Sequence, residues 1–398
     1  MTTSFAQNYS ENRPGVSRGR ETGLRLGGSR LHGALDVASS YDSNSLYSDQ
    51  NPQSDYVLVV IPGVDWEFSR TKFNLLTGYR FTYRNNFEQD VQDDLAQQAN
   101  LVASYALSRR LDMKVTEKYE DTSEPADVEI PERLGRITNN AGAEVRYHTP
   151  GDDLDLALKY ANMYEKYEAL LSALSFYDNK VSITSRVNIS SHFRFLPKSV
   201  ASATMEYGQT NFNDDPVAPV ANNDSRGISF SAGLNSQFTR KIGISANAGF
   251  ATLQFEGGPD ATSATGSIDA RFTPRSALSV TTGYKYDVQV STFTNYFQDH
   301  HVHLDGNYRF ARRWETHVRT SYDFLDYSPP NLNADGSTRA DSVIQGLAGL
   351  TFELFAWMHL KTEYQLDYRD SNAVDPLTGS NSASFLKHRV NVGISVYY

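Results

Sequence analysis

The sequence has no cysteine in 398 residues. That excludes a disulfide scaffold, a thiolate-bound zinc and a thiol nucleophile. Long apolar runs are missing too. The longest, Tyr56-Val-Leu-Val-Val-Ile-Pro62, falls far short of the ~18 residues a membrane helix needs. The opening Met1-Thr-Thr-Ser-Phe-Ala-Gln-Asn8 has neither a basic n-region nor an apolar h-region, so it does not read as a signal peptide. Export would therefore place any leader outside this numbering. Positive charge is in deficit: 37 Lys and Arg stand against 47 Asp and Glu, a net charge of −10. A protein built to grip nucleic-acid phosphates needs the opposite balance. No Gly-rich phosphate loop and no G-x-S-x-G nucleophile elbow occurs, and nothing selects a catalytic set or a cofactor.

Aromatic residues are abundant, with 24 Tyr and 21 Phe, which is incompatible with a disordered chain. A period of two runs from residue 29 to the end. Between Lys180 and Phe195 one face reads Val181, Ile183, Ser185, Val187, Ile189, Phe193 and Phe195. The other reads Ser182, Thr184, Arg186, Asn188, Ser190, His192 and Arg194. Successive strand side chains point to opposite faces, so one face is apolar and the other wet. The split recurs at 276–291, where Leu278, Val280, Tyr284, Tyr286, Val288 and Val290 oppose Ser279, Thr281, Lys285, Asp287 and Gln289. It recurs again at 357–369.

Marking every such segment gives about 18 strands of roughly 10–15 residues. Their expected spans are 29–42, 55–67, 72–84, 95–107, 110–121, 136–148, 153–165, 178–195 and 199–209 in the first half. The second half adds 226–239, 241–254, 262–273, 276–291, 300–310, 313–326, 342–354, 357–369 and 385–398. Short turns, such as Pro274-Arg275, largely alternate with long Asp-, Asn- and Gly-rich loops such as 42–55 and 371–384. This pattern predicts an all-β transmembrane antiparallel barrel of the bacterial outer membrane, with short periplasmic turns and long extracellular loops. Residues 1–28, polar and aperiodic, read as a periplasmic arm or docking surface, and 29–398 as the barrel. A soluble sandwich also alternates, but its strands average only about five or six residues. In hydrocarbon an unpaired backbone group costs several kcal/mol, so the sheet must close on itself. A charge facing lipid costs roughly 2–4 kcal/mol near the midplane, and the charges here fall almost wholly on the wet face. The mean hydropathy of −0.50 fits strands that are half in water.

A barrel of this size leaves an aqueous channel unless loops fill it. The wet face predicts a lumen-lining solute path through Arg80, Arg146, Arg186, Arg194, Asp269, Arg271, Lys285, Asp287, Arg309, Arg319, Lys361, Glu363, Arg369 and Arg389. Lys114 and Lys159 share it, with acidic residues that include Asp36, Asp155, Asp305 and Asp323. The signs nearly balance, so no one-sided selectivity ring is expected. Most of these charges should form a hydrated, salt-bridged wall. His301 and His303 have a spacing compatible with metal binding, although wall lining is the favoured reading and no metal is assigned. The runs Asp152-Asp153 and Asp214-Asp215 read as solvated loops, with calcium or lipopolysaccharide bridging as the alternative. The final strand alternates Val390, Val392, Ile394 and Val396 up to the aromatic Tyr398. It looks like the C-terminal signal read by the barrel-assembly machinery.

The first quarter carries further motifs in order. They are Gly23-Leu-Arg-Leu-Gly-Gly-Ser-Arg-Leu-His32, Tyr41-Asp-Ser-Asn44, Ser54-Asp-Tyr56, Ile61-Pro-Gly-Val-Asp65, Leu76-Thr-Gly-Tyr-Arg80 and Asp93-Asp94. Together they resemble the β-barrel porins associated with bacterial exopolysaccharide systems. Gly27-Gly28 departs from that family, where a Gly-Pro step is more usual. The resemblance implies an outer-membrane conduit for a Wzx/Wzy-type polysaccharide chain, docked on a periplasmic polysaccharide-export protein. The residues themselves leave a general diffusion porin for small hydrophilic solutes open as the alternative. Nothing in the apolar positions separates a monomer from an oligomer.

Overall fold

The computed structural model describes residues 23–48, 51–88, 94–123, 135–151, 153–168, 181–213, 224–291, 294–329, 337–373 and 384–398. Of the sequence expectations, residues 1–22, Asp93, Asp152, Asp214 and Asp215 lie outside these residues.

A three-residue strand β1 (Leu24–Leu26) leads into β2 (Ser29–Asp42), β3 (Asp55–Ser69), β4 (Phe73–Asn86), β5 (Asp94–Ala106), β6 (Leu111–Thr122) and β7 (Gly135–His148). Next come β8 (Leu154–Glu168), β9 (Val181–Leu196), β10 (Ser199–Phe212), β11 (Ser225–Ser236), β12 (Ile242–Phe255) and β13 (Ala261–Arg275). The chain ends with β14 (Leu278–Val290), β15 (Tyr296–Ala311), β16 (Trp314–Tyr327), β17 (Ala340–Phe355), β18 (Met358–Ser371) and β19 (Phe385–Tyr397). From β2 onward each strand pairs antiparallel with its sequence neighbour, and β19 returns to β2, with Ile394 opposite Val37. The result is a closed 18-strand barrel, whose closure satisfies the backbone groups an open edge would leave bare. The expected spans match to within a few residues.

Two details differ from the sequence reading. Residues 24–26 are not aperiodic: they form a hairpin with 29–31 through a turn at Gly27, whose φ of 62° suits glycine. Val288, expected to face lipid, is buried against Ala251 and Ala261. The β13–β14 ladder ends at Gly266 opposite Tyr286, so alternation no longer fixes the side beyond it. There Asn295 Nδ2 donates to the carbonyl oxygens of Gly257 and Pro259, tying two loops together.

The ladders sort every residue by face. Val37, Ile183, Val280, Val318, Leu360 and Val392 are exposed on the outer wall or paired with residues that are. Outward aromatics gather toward the short-turn end, including Phe68 against Phe73 (6.1 Å) and Trp314 against Phe352 (4.5 Å), and Phe355 stacks on Trp357 (5.3 Å) at the β17–β18 turn. Others gather toward the long-loop end, as in Tyr41 against Tyr56 (5.3 Å). Amphipathic rings belong at the two bilayer interfaces. Outward threonines hide their hydroxyls: Thr77, Thr282, Thr316 and Thr362 donate to the carbonyls of Asn100, His303, Gly349 and Asn391 on neighbouring strands.

Candidate functional site: the barrel lumen

The ladders and ion pairs place all fourteen expected path residues on the inner wall. Ten of them pair with an opposite charge or a histidine. Arg80 meets Asp65 (2.6 Å), Arg146 meets Glu144 (2.7 Å), and Lys285 meets Asp287 (2.8 Å). Arg309 meets Glu315 (2.8 Å), Arg319 meets Asp305 (3.1 Å), and Arg389 meets Asp42 (3.4 Å). Arg369 pairs with Asp341, Asp269 with His303 (3.3 Å), and Glu363 with His317 (3.4 Å). Arg271 and Lys361 donate to Ser279 (3.2 Å) and to the Tyr397 hydroxyl (3.4 Å). Arg186 and Arg194 on β9 have no ion partner among the described residues and are exposed. Lys114 on β6 and Lys159 on β8 share that state. The wall is thus mostly self-neutralised, with unpaired cations concentrated on β6, β8 and β9.

Several of these pairs lie flat because an inward glycine sits beneath them. A Cβ at Gly63 would come within 2.6 Å of Arg80 Nε, and one at Gly283 within 2.6 Å of His303 Cε1. One at Gly349 would come within 2.6 Å of His317 Nε2. His303 and His317 each lie across one strand to reach a carboxylate on the next, and the missing side chain keeps them against the wall.

The long-loop half is different on the arc from β15 through β19 to β4. Inward residues that an open pore would wet are buried there, among them Leu325 (0% exposed), Val57 (2%) and Lys387 (1%). Phe297, Leu325, Tyr327 and Val343 form an apolar cluster, and Val57, Val59 and Ile61 form another. The loop after β2 folds inward over this wall. Asn44 N–H donates to Asp42 Oδ1 (3.1 Å), and Asn44 Nδ2 donates to the carbonyls of Ser48 (2.8 Å) and Leu386 (3.1 Å). Ser48 N–H returns to Asn44 Oδ1 (3.0 Å). Tyr47, at the left-handed φ of 54°, packs edge-on to Phe385 (5.2 Å) and lies under Lys387 Nζ (3.6 Å). Lys387 also pairs with Asp42 (2.8 Å). From the other side Arg339 reaches Asp341 (2.9 Å) and lies over Tyr327 (4.7 Å). The lumen is therefore narrowed on one side of its long-loop half.

Opposite that arc, the inner wall of β10–β12 is small and nearly uncharged. Ser202, Thr204, Gly208, Ser229, Ser231, Gly233, Asn247 and Gly249 face inward there, with Glu206 as its carboxylate. Across the ring the channel thus runs between a charged, packed wall and a smooth hydroxylated one.

The Tyr41-Asp-Ser-Asn44 motif was legible, but its work in folding the loop inward was not. Lys387 was missed although it shares the phase of Arg389; Arg339 lies outside any strand and leaves no periodic trace. His301 and His303 stack at 5.4 Å, with His301 on Asp323 (2.5 Å). Among the described residues no cluster of three or more donors is arranged to hold a metal. A recess of about 490 Å³ bordered by Ile189, Met205, Phe230 and Phe250 opens on the outer wall, outside the lumen.

No family profile matches the sequence, and no curated protein matches it. Solved structures do. Pseudomonas aeruginosa OpdO is 13% identical with a TM-score of 0.52, over 92% of this chain and 97% of that one. P. aeruginosa OpdQ is 9% identical with a TM-score of 0.52, over 94% and 100%. Acinetobacter baumannii OccAB3 is 10% identical with a TM-score of 0.51, over the same shares. At these identities the likeness is one of fold. The chain is a closed 18-strand antiparallel barrel of the bacterial outer membrane, with the architecture of the OccK/OprD porins.

Proposed function

We propose that the protein is a passive channel for small hydrophilic solutes, with a preference for those carrying negative charge. The observation that carries this reading is the inner wall. Its fixed charges are largely paired against the wall, while Lys114, Lys159, Arg186 and Arg194 are exposed and have no ion partner among the described residues. An 18-strand barrel is wide enough for an aqueous path. Unpaired cations facing that path raise the local concentration of anions. Fold neighbours that are substrate-specific porins support the same reading.

Export of a polysaccharide with a periplasmic export protein rests on the first-quarter motifs alone. One of those motifs, Tyr41-Asp-Ser-Asn44, has a structural explanation in this barrel: it docks the first loop. Neither the inner wall nor the fold neighbours favour a polymer over small solutes.

Purified protein in planar bilayers should give discrete conductance steps in potassium chloride. Under a salt gradient its reversal potential should take the sign of chloride preference. Silence in the bilayer, together with loss of surface polysaccharide on gene deletion, would overturn the channel reading in favour of the exporter.

A further inference from the structure

The inner wall of β19, β2 and β3 is covered where the opposite wall is open. On β2 the inward Asp36, Ala38, Ser40 and Asp42 are all buried, while the outward Leu35, Val37, Ser39 and Tyr41 are exposed. On β19 the inward Asn391, Gly393 and Ser395 are buried as well. Inward residues of similar size across the ring, Ser202, Thr204, Ser231 and Gly233, are only half-buried. Ala38, 5% exposed, shows that the wall does not cover itself. Its inward neighbours are Asp36 and Ser40 along the strand, Gly393 on β19 and Val59 on β3, and none is long enough to close over it. The described part of the loop after β2 is seated higher, on Phe385, Leu386, Lys387 and His388. Gly393, opposite Ala38, lies about 16 Å further down the strand than His388.

The covered wall also carries polar atoms in need of partners. Asp36 Oδ1, Ser395 Oγ, Glu363 Oε1, Gln365 Oε1 and both polar side-chain atoms of Asn391 are buried with no hydrogen bond among the described residues. Most of these atoms are acceptors. A buried acceptor is costly unless it is paired, so the matching cover is one that brings donors.

We propose that residues 1–22 are that cover: the N-terminal segment re-enters the barrel and lies along the inner wall of β19, β2 and β3. The point of entry fits. β1 lies beside the foot of β2, in the place that β19 leaves open below Tyr397. It is antiparallel to β2, so the direction from Leu24 back to Gly23 points up the barrel, toward Ala34 and Asp36. Directly above, β19 bars the sheet, since Gly33 and Tyr398 exchange backbone hydrogen bonds at 3.0 and 2.9 Å. Gly23, with a φ of 108°, is the residue that can turn out of the sheet there. A Cβ on it would come within 2.7 Å of the inward ring of His32. The other side of the sheet is lipid, which Arg13, Arg18 and Arg20 exclude. Length and chemistry fit as well. Twenty-two residues extend to about 75 Å, ample for the depth of the wall. Hydroxyl and amide side chains predominate among them, and the three arginines outnumber Glu11 and Glu21. Their guanidinium groups are donors without acceptors, the complement of Asp36, Glu363 and Gln365. The segment is then a resident strip of the lumen rather than a periplasmic arm, and it narrows the path below the first loop. This holds whether the barrel passes small solutes or a polymer.

The absence of cysteine makes the test direct, and it does not depend on conduction. Carried back at the register of the β1 hairpin, Ser17 comes level with Ala38. Ala38→Cys is therefore combined, in the full-length barrel, with Ser10→Cys, Asn12→Cys, Val16→Cys or Ser17→Cys in turn, and each pair is oxidised. Free thiols are then counted in the denatured chain by the mass that a polyethylene-glycol maleimide adds. At least one pair should lose both thiols. The same partners with Ser231→Cys, on the open inner wall half-way round the ring, should keep them. Alone, Ala38→Cys should react with a hydrophilic maleimide at least ten-fold more slowly than Ser231→Cys. Heat-modifiability reports that each variant is folded, and Ser40→Cys replaces Ala38→Cys if that variant is not. Rapid labelling of Ala38→Cys would show an open wall and overturn the proposal. Protection with no disulfide to any of the four positions would assign the cover to a long loop and overturn it too. So would disulfides formed equally with Ala38→Cys and Ser231→Cys, the mark of a segment that wanders.

Discussion

The side-chain amide of Asn44 donates to the main-chain carbonyl of Leu386, 342 positions away in sequence, at 3.1 Å. That bond pins the first loop to the inner wall of the last strand, where Tyr47 packs edge-on to Phe385 and beneath Lys387. Asn44→Ala removes both of its donations and the acceptor for Ser48. Single-channel conductance should rise, with larger current noise, while the barrel stays heat-modifiable. Unchanged conductance would mean the loop does not narrow the path.

Asp42 carries two buried cations, Lys387 and Arg389. Removing one partner of a buried pair leaves uncompensated charge and costs about 3–5 kcal/mol. Asp42→Asn should therefore lower the urea midpoint of unfolding in detergent far more than Glu144→Gln, whose partner Arg146 is exposed.

The exposed cations set the proposed preference for anions. Arg186→Glu combined with Arg194→Glu should move the reversal potential toward cation selectivity and change conductance only modestly. Arg309→Gln opens a pair and leaves Glu315 uncompensated. It should shift the potential in the same direction by less.

The register makes a test of architecture. Ile183→Arg and Val280→Arg put a charge into lipid, at a cost of roughly 2–4 kcal/mol near the midplane. Both should reduce the heat-modifiable fraction, while Ser279→Arg, on the inner face, should assemble normally. Equal assembly of all three would refute the assignment of faces.

Gly283 has a narrower effect. Gly283→Val would displace His303 from Asp269 and swing the imidazole into the path. Conductance should fall without loss of assembly, and a Gly283→Val barrel that conducts normally would show that the flat stacking does not matter.

The spans and faces were legible because a two-residue period is set by backbone geometry and needs no knowledge of neighbours. Ile183 and Arg186 were sorted correctly on that basis alone. What escaped the sequence depends on contacts between distant segments. Nothing local says that Tyr47 adopts a left-handed backbone, since Phe385 and Lys387 hold it there. Val288 keeps its alternation in the sequence, yet it packs inside because two loops meet above it. The β1 hairpin is three residues long, too short for a period to declare itself. The first-quarter motifs invited a polymer-export reading because a short motif records a local solution, and the Tyr41-Asp-Ser-Asn44 solution is loop docking.

The ladder between β2 and β19 joins residues 34–42 to residues 389–397, whereas every other seam of the barrel links neighbours in sequence. Assembly can zip hairpin by hairpin, but closure must wait for the last strand to arrive, and non-local pairing is the slow kind. Until then two bare edges persist, each a template for pairing with another chain. A nascent chain cut short before β19 would thus not make a smaller barrel. It would make a long open sheet, and its fate would depend on how quickly a chaperone or protease found it.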